Sequence, residues 1–376
     1  MLLIQHLSPS VSVMRIEIWA DLVCAWAYIG KRRLEKALAS LDGPSATEGG
    51  RRAAGAGYPA SMPEGGQPQE AGQTAPGGRH PWGVEVVWRP FRMDPSAPVP
   101  ATPREELLRD PVADAALRAC APGLTPSENL VRISEIAAAE GLGPRWGAVW
   151  RSNSHDAHRL LYLAERHGGA VTQDAVAEGI LRAYFVEGLD IGRLDVLAQV
   201  ASEAGFERAG ALLAAGAADR EVKELVLVGK ARGIGTSPTI VVNGQALAGA
   251  QDPETIAAFL RDAAGLTVRE VPAEIERFRQ SESLMEQRDP LGALTLLEPL
   301  WGEHGDDRNV VMLAARAYFA SAQLGKARAA LEGLVESDPS DSYARLLLGR
   351  TLHRQGLADE AAAHLRLAET MSPEYA

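Results

Sequence analysis

The sequence predicts an α/β domain with an all-α insertion, followed by an α-helical repeat domain. Three observations predict this architecture. Short strand patterns lie near both ends of the region from residue 14 to residue 264, helical periodicity fills the region between them, and the remainder repeats with a period of 34 residues. Because the chain has 376 residues, it is also too long for one ordinary core, so two or three domains are expected.

The first strand pattern leads directly into a helix that has a cysteine at its start. Residues 14–19 read as a strand, and a helical period begins at Trp26. Cys24 lies at the junction, where unpaired N–H groups and the positive end of the helix dipole favour thiolate over thiol. We therefore expect the pKa of Cys24 to lie below the free value of about 8.5. By position alone, Cys24 is equally well explained as a small buried hydrophobic residue.

A hairpin and a final helix are predicted at the other end of the α/β domain. The apolar run 240–242 precedes an Asn243-Gly244 pair, which is a strong hairpin signal. Pro238 has no N–H for a sheet ladder, so we expect it at the start of a strand or in a turn. Pro253 then predicts the first position of a helix that extends to about residue 263.

Between these ends the pattern is helical. Glycines separate six predicted helices, at 128–140, 154–167, 172–187, 193–204, 206–214 and 218–232. A strand is predicted at residues 84–88, and the helix between it and the first strand implies that the two strands pair in parallel.

Several motifs carry a family resemblance, and they follow one another in the order expected for that family. They are residues 21–24 with Trp26, and then residues 28–33, 86–91, 156–160, 182–185, 236–239 and 249–251. Together they resemble the DsbA family, and within it the FrnE-like branch. The resemblance implies a thioredoxin-like fold with an inserted all-α domain, a Cys-Pro-x-Cys motif at the helix start and a cis-proline loop opposite the thiol.

Two departures from the family motif decide the predicted mechanism. Ala25 replaces the proline, and Ala27 stands where the resolving cysteine would be. Without that second thiol, a substrate bonded to Cys24 must be released by an external thiol. The resemblance therefore implies a monothiol enzyme of the protein disulfide oxidoreductase or isomerase type. No cofactor is expected, apart from a small-molecule thiol as co-substrate.

The resemblance also implies roles for other residues. Ser237 and Pro238 would bind the substrate backbone opposite Cys24, and Trp26 would flank the thiol. His158 and Arg159, on the inserted domain, would approach the site, although a hydrogen-bonded structural role is the alternative for this pair.

The C-terminal region repeats every 34 residues and resembles tetratricopeptide repeats, with two good copies after a degenerate first one. Corresponding positions include Leu284, Tyr318 and Leu352; Ala293, Ala327 and Ala361; and Leu297, Leu331 and Leu365. Stacked repeats form a surface for peptides or helices, so we expect a protein or peptide partner here. A purely structural helical cap is the alternative.

The predicted domains follow from these patterns. They are an N-terminal extension at 1–13, a thioredoxin-like domain at 14–124 and 233–264, an inserted helical domain at 125–232, and the repeats at 270–376. Residues 43–83 contain 11 glycines and 6 prolines but no valine, isoleucine or leucine, so they are predicted to be a disordered insertion.

Composition and cysteine usage exclude several classes of function. The net charge of −11 argues against nucleic-acid binding. Cys24 and Cys120 suggest neither a disulfide framework nor a metal site, and Cys120 is more simply explained as structural than as a distant resolving thiol. Residues 1–12 have too short an apolar run for a signal peptide, and no membrane-spanning stretch is present. A cytoplasmic location is therefore expected.

Two other functions remain open on the sequence. In the first, the substrate groove survived the loss of the second cysteine but the activity did not. The protein would then be a non-catalytic binding module, such as a co-chaperone or scaffold. The kappa-class transferases and related isomerases resemble this scaffold and act through one reactive hydroxyl or none. A glutathione-dependent transferase or isomerase is therefore the third alternative.

Overall fold

The structure is a computed structural model, and it describes residues 13–41, 83–107, 109, 121, 123–267 and 270–375. The predicted disordered insertion, apart from Gly83, lies outside the described residues, as do residues 1–12 and Cys120.

A four-stranded mixed sheet forms the centre of the first domain. Among the described residues the strands are β1 (Met14–Ala20), β2 (Val84–Pro90), β3 (Thr102–Pro103), β4 (Trp150–Arg151), β5 (Thr239–Val242) and β6 (Gln245–Ala248). The sheet order is β2-β1-β5-β6, while β3 and β4 form a separate short ladder. Strand β1 pairs in parallel with β2, and β5 and β6 form the hairpin. The predicted parallel pair and the predicted hairpin are therefore confirmed.

Helices cover the sheet and form the inserted region. The bounds are α1 (Ala25–Leu41), α2 (Arg104–Leu107), α3 (Pro126–Ala139), α4 (His155–Phe185), α5 (Leu194–Glu203), α6 (Ala209–Ala214), α7 (Asp219–Ala231) and α8 (Pro253–Ala264). The prediction of separate helices at 154–167 and 172–187 is confirmed, because the backbone leaves the helical region between these two segments of α4. Gly168 and Gly169 both have non-helical backbone angles, with φ of −140° and 68°, so α4 consists of two helical segments that meet at a kink. Residues on both sides of the kink, such as Ala164 and Val176, are buried in one core, so tertiary packing keeps the two halves together.

One continuous apolar core joins the sheet to the inserted helices. It contains Ile16 and Ile18 of β1 together with Leu160 and Ile180 of α4. Gln173 of α4 completes the outer edge of β2. Its side-chain oxygen accepts from the backbone N–H of Trp88 at 2.8 Å, and its amide nitrogen donates to the Trp88 carbonyl at 3.1 Å. The inserted helices therefore act as part of the same folded unit as the sheet.

Helix α3 is fastened to α1 by a carboxylate at its C-terminal end. Glu140 accepts from Arg33 Nε and from Lys36 Nζ, both at 2.6 Å, and its side chain is only 9% exposed. Burial alone would raise the pKa of Glu140, but the hydrogen bonds and charges of Lys36 and Arg33 outweigh it and lower that pKa.

The C-terminal region consists of paired helices. They are α9 (Ala273–Glu286), α10 (Pro290–Leu297), α11 (Trp301–His304), α12 (Arg308–Ala320), α13 (Leu324–Ser337), α14 (Ser342–Arg354) and α15 (Ala358–Met371). Short 3₁₀ turns lie at Glu298–Leu300 and Pro373–Tyr375. The predicted alanine positions Ala293, Ala327 and Ala361 are buried where the paired helices meet. A small side chain at each crossing lets the backbones approach, which explains the 34-residue period.

The first repeat packs on α7 of the inserted region. Leu284 and Ala293 share an apolar cluster with Leu227, and Ser283 Oγ donates to the carbonyl of Ala231 at 2.7 Å. Lys230 Nζ and Asp289 Oδ2 are 2.6 Å apart. Within the described part of the chain, no helix is both long and apolar enough to cross a membrane.

Candidate functional site

Cys24 lies in the turn that connects β1 to α1. Its N–H donates to the carbonyl of Asp21 at 3.0 Å, and its own carbonyl accepts from the N–H of Ala27 at 3.0 Å. This turn directs Sγ across the chain toward the loop before β5. The thiol donates to the carbonyl oxygen of Ser237 at 3.4 Å, so the two loops that the sequence predicted to face each other are in contact.

The loop opposite the thiol is fixed by hydrogen bonds on both sides. The peptide bond between Ser237 and Pro238 is cis. Ser237 Oγ accepts from the N–H of Asp21 at 2.9 Å, and the Pro238 carbonyl accepts from the N–H of Gly249 at 2.8 Å. These bonds hold the loop between the end of β1 and the hairpin.

Helix α1 approaches this loop closely because it has a glycine at the contact. A Cβ built on Gly30 would lie 3.0 Å from Cγ of Pro238 and 3.5 Å from Cβ of Ala250. Any larger side chain would force α1 away from the proline. Gly30 therefore sets the separation of the helix that follows Cys24 from the loop that contains Pro238.

The prediction of a low pKa for Cys24 was wrong. The residue is only 3% exposed, and its burial raises the pKa of the thiol. Hydrogen bonding by Ser237 and by the backbone of Ala27 and Trp26 acts in the opposite direction but is smaller. The helix-end effects expected from the sequence are present, but they are outweighed by desolvation, which a sequence does not reveal. The thiol is therefore protonated at neutral pH.

Asp21 is a site residue that the sequence analysis did not single out. Its side chain is fully buried, Oδ2 accepts from the N–H of Met93 at 2.6 Å, and Oδ1 lies 3.4 Å from the N–H of Val23. The negative charge of Asp21 also contributes to raising the pKa of Cys24. The signal was available, because an acidic residue directly after an apolar strand and three residues before the cysteine needs buried donors.

His158 and Arg159, adjacent in sequence, lie in different surroundings. His158 is buried, with Nε2 3.0 Å from the carbonyl of Phe91 and 3.6 Å from Oδ1 of Asp21, so it reaches the neighbour of Cys24. Its Nδ1 has no hydrogen-bond partner in the described chain. Arg159 instead donates to the carbonyls of Ala217 and Leu213, each at 2.8 Å, and these bonds link α4 to the end of α6.

Two neighbours of the thiol on α1 have distinct environments. Ala27 is 1% exposed, so the position of the missing cysteine is occupied by a buried methyl group. Trp26 is half-buried against the core, and the guanidinium carbon of Arg132 lies 5.6 Å from its ring centroid. The contact joins α3 to the first turn of α1.

Other features of the described residues lie apart from the thiol. No group of three or more His, Cys, Asp or Glu side chains that could hold a metal ion occurs among the residues described. A cavity of about 520 Å³ lies at the other end of the sheet, between later turns of α1 and the starts of β1 and β2; its lining includes Leu34, Leu38, Val84 and Val86.

Comparisons with known proteins place the two regions separately. Residues 73–261, half of the chain, match the family described as DSBA-like thioredoxin domain, and residues 284–351 match the tetratricopeptide repeat. The first match begins after Cys24. A solved structure of a probable DsbA oxidoreductase from Streptomyces coelicolor is similar, with 26% identity, 69% of this chain and 94% of that chain covered, and a TM-score of 0.46. No curated protein matches. The chain belongs to the DSBA-like thioredoxin domain family, and it carries a tetratricopeptide repeat region after that domain.

Proposed function

We propose that the protein is a thiol–disulfide oxidoreductase that works with one thiol, Cys24. The observation that carries this proposal is the 3.4 Å contact between Sγ of Cys24 and the carbonyl of Ser237, directly before Pro238, in a chain of this family. A strand-to-helix turn holds the sulfur, and a separate loop faces it. That arrangement suits a substrate chain that lies along the loop while its disulfide meets the thiol.

The reaction consists of two exchanges. The thiolate of Cys24 attacks one sulfur of a substrate disulfide, a mixed disulfide forms, and the other substrate sulfur leaves as a thiolate. An external thiolate then attacks the substrate sulfur of the mixed disulfide and displaces the thiolate of Cys24. The net result is exchange of one thiol for another on the substrate, with no change in the oxidation state of the enzyme. Ala27 supplies no sulfur for an internal second step.

Loss of a proton precedes the first exchange. Because burial raises the pKa of Cys24, the thiol must be exposed to solvent and lose its proton before it attacks. The carboxylate of Asp21 disfavours that ionisation while the site is closed. Exchange is therefore slow at neutral pH and is limited by opening of the contact between the thiol and Ser237.

The neighbouring residues have roles that follow from their positions. Ser237 and Pro238 contact the substrate backbone in place of the present contact with Cys24, and Trp26 flanks the incoming sulfur. His158 does not act on the sulfur directly. It influences the site through Asp21, whose Oδ1 lies 3.6 Å from Nε2 of His158. The repeats hold a protein or peptide partner, and a cytoplasmic location supplies the small thiols that complete turnover.

Turnover with single-cysteine variants tests this proposal. Wild-type protein, Cys24→Ser and Cys120→Ser are incubated with a peptide–glutathione mixed disulfide and reduced glutathione, and glutathione disulfide is measured. We expect Cys24→Ser to lose all turnover and Cys120→Ser to retain it. If Cys120→Ser also loses turnover while its folding is unchanged, the two cysteines act as a pair and the single-thiol mechanism is wrong.

A non-catalytic binding module is the second candidate, and one observation favours it. Cys24 is buried and its pKa is raised, as expected for a structural cysteine. Suppression of the aggregation of a cysteine-free client separates the two functions. Equal suppression by wild-type protein and Cys24→Ala, together with no exchange in the assay above, would establish the binding module instead.

A further inference from the structure

Two arginines that have no ion-pair partner among the described residues occupy the same position in successive repeats. Arg316 on α12 and Arg350 on α14 are 34 residues apart. No hydrogen bond or ion pair of either guanidinium occurs within the described ranges, whereas Arg308 pairs with Asp341 and Arg328 with Glu332 in the same repeats. What sets these two arginines apart is their equivalent position in successive repeats, in a chain whose net charge is −11.

A contact between α12 and α14 places both arginines on one face. Arg354 Nη1 donates to the carbonyl of Phe319 at 2.8 Å, and its guanidinium carbon lies 4.6 Å from the ring centroid of Phe319. Arg316 lies three residues before Phe319, and Arg350 lies four residues before Arg354, so each shares a helix face with a member of this contact. We call the surface formed by Arg316, Phe319, Arg350 and Arg354 the arginine face.

The neighbours of the arginine face set its limits. Tyr343 is 36% exposed and lies two helical turns before Arg350, so it extends the face with an aromatic ring. In the first repeat, the position equivalent to Arg316 is the exposed residue Glu282. The charge at this position is therefore negative in the first repeat and positive in the second and third.

We propose that the arginine face binds an acidic peptide segment with carboxylates three residues apart. The inference rests on the docking role proposed for the repeats and is independent of the chemistry of Cys24. Each free guanidinium presents a fork of donors that matches a carboxylate. Glu282 repels the same peptide, so the acidic residues lie against the second and third repeats only.

The spacing follows from the geometry of packed helices. Helices that pack directly on one another have axes about 8–10 Å apart. The contact between Arg354 and Phe319 shows that α12 and α14 touch. A polyproline II chain rises about 3.1 Å per residue and has three residues per turn, so side chains at i and i+3 lie about 9 Å apart on one side. A peptide in that conformation therefore presents one carboxylate to each arginine, and Tyr343 offers a ring for an apolar or proline residue beside them.

Fluorescence anisotropy with a defined probe tests the proposal. The probe is a fluorescein-labelled twelve-residue peptide of proline and alanine with a glutamate at every third position, and it is titrated with the full chain. Matched peptides carry glutamine in place of glutamate, or the same glutamates at adjacent positions. We expect the Kd of the spaced glutamate peptide to be at least tenfold lower than that of either comparison peptide.

Variants identify the surface that binds the probe. Arg316→Glu and Arg350→Glu are each expected to weaken binding at least tenfold, whereas Arg366→Glu changes an exposed arginine on α15 and is expected to change the Kd less than twofold. Equal affinity for the glutamate and glutamine peptides would overturn the proposal. So would equal losses in all three variants, since these would indicate unspecific attraction.

The exchange assay keeps this test separate from the proposed function. Exchange of a small disulfide by Arg316→Glu is expected to equal that of the wild type, because the substitution lies in the repeats. Exchange without peptide binding would refute only the arginine face. Peptide binding without exchange would refute only the redox role of Cys24.

Discussion

The thiol site and the arginine face satisfy their polar groups in opposite ways. At the thiol site, the sulfur of Cys24 and both carboxylate oxygens of Asp21 are buried and have partners within the chain. On the arginine face, Arg316 and Arg350 have none among the described residues. A group that is already paired must lose its partner before it can react, whereas an unpaired group that reaches the surface is free to bind. We therefore expect the arginine face to bind its partner without first losing an internal contact, whereas Cys24 reacts only after its contact with Ser237 opens.

The largest expected effect that tests this contrast is the pH dependence of Cys24 reactivity. With its pKa raised by burial, the thiolate fraction grows about tenfold for each pH unit below that pKa. The rate of iodoacetamide alkylation should therefore rise about a hundredfold between pH 7 and pH 9. The measurement uses Cys120→Ser, so that Cys24 is the sole cysteine and mass spectrometry follows one product.

The same titration has a consequence for stability. The unfolded thiol ionises near pH 8.5, while the folded thiol, with its raised pKa, stays protonated to higher pH. The contribution of Cys24 to stability is complete below pH 8.5 and is lost as the pH rises through the folded pKa. The Cys24→Ala variant has no thiol to ionise, so its free energy of unfolding should not show this decrease as the pH rises. An alkylation rate that is already maximal at pH 7 would show that the thiol is ionised there, with a lowered pKa as the sequence alone predicted, and the contrast would fail.

The second prediction asks whether the repeats can be damaged without changing the thiol site. Leu331 is fully buried in the cluster of the second and third repeats, which is separate from the core around Cys24. Leu331→Ala should lower the free energy of unfolding of the repeats by about 2–5 kcal/mol. Hydrogen exchange followed by mass spectrometry should show faster exchange in α12 to α14 and unchanged exchange in α1. Leu291→Ala, at a residue 62% exposed, is the control.

The third prediction uses two glycines inside helices, one from each region. Gly30→Ala should cost about 1–3 kcal/mol, since the new methyl group would meet Pro238 at 3.0 Å. In α13, Gly333 has open space around it, and Gly333→Ala should stabilise the protein by about 0.5–1 kcal/mol. Thermal unfolding measures both changes. Equal shifts in both variants would mean that α1 does not depend on its close approach to the proline loop.

The sequence predicted the parts of the fold that depend on local pattern. The hairpin followed from Asn243 and Gly244, and Asn243 does take the positive φ of 50° that this turn needs. The repeat period followed from small residues such as Ala327, which is buried at a helix crossing. The contact between Cys24 and Ser237 followed from a family resemblance, because no local pattern joins residues 213 positions apart.

What the sequence missed depends on tertiary burial. A helix-end cysteine reads as reactive until the desolvation of its sulfur is known, and Asp21 reads as an ordinary turn residue until its surroundings are known. Each error concerns an energy that is set by residues far away in the chain.

The smallest expected effect concerns the attachment of α3 to α1 beside the thiol. Glu140 has a lowered pKa because of Lys36 and Arg33, despite its burial. Since the pKa is lower in the folded state, this stabilisation is present above the unfolded value of about 4.3 and is lost as the pH falls through the folded value. Glu140→Gln should therefore cost about 1 kcal/mol at pH 7, because Lys36 is half exposed and solvent screens the pair, and almost nothing at pH 3. Urea unfolding at both pH values measures the difference, with the exposed pair partner Glu332 changed to Gln as the control. A loss of the same size at both pH values would mean that Glu140 acts by packing alone, and that α3 is not held beside the thiol by charge.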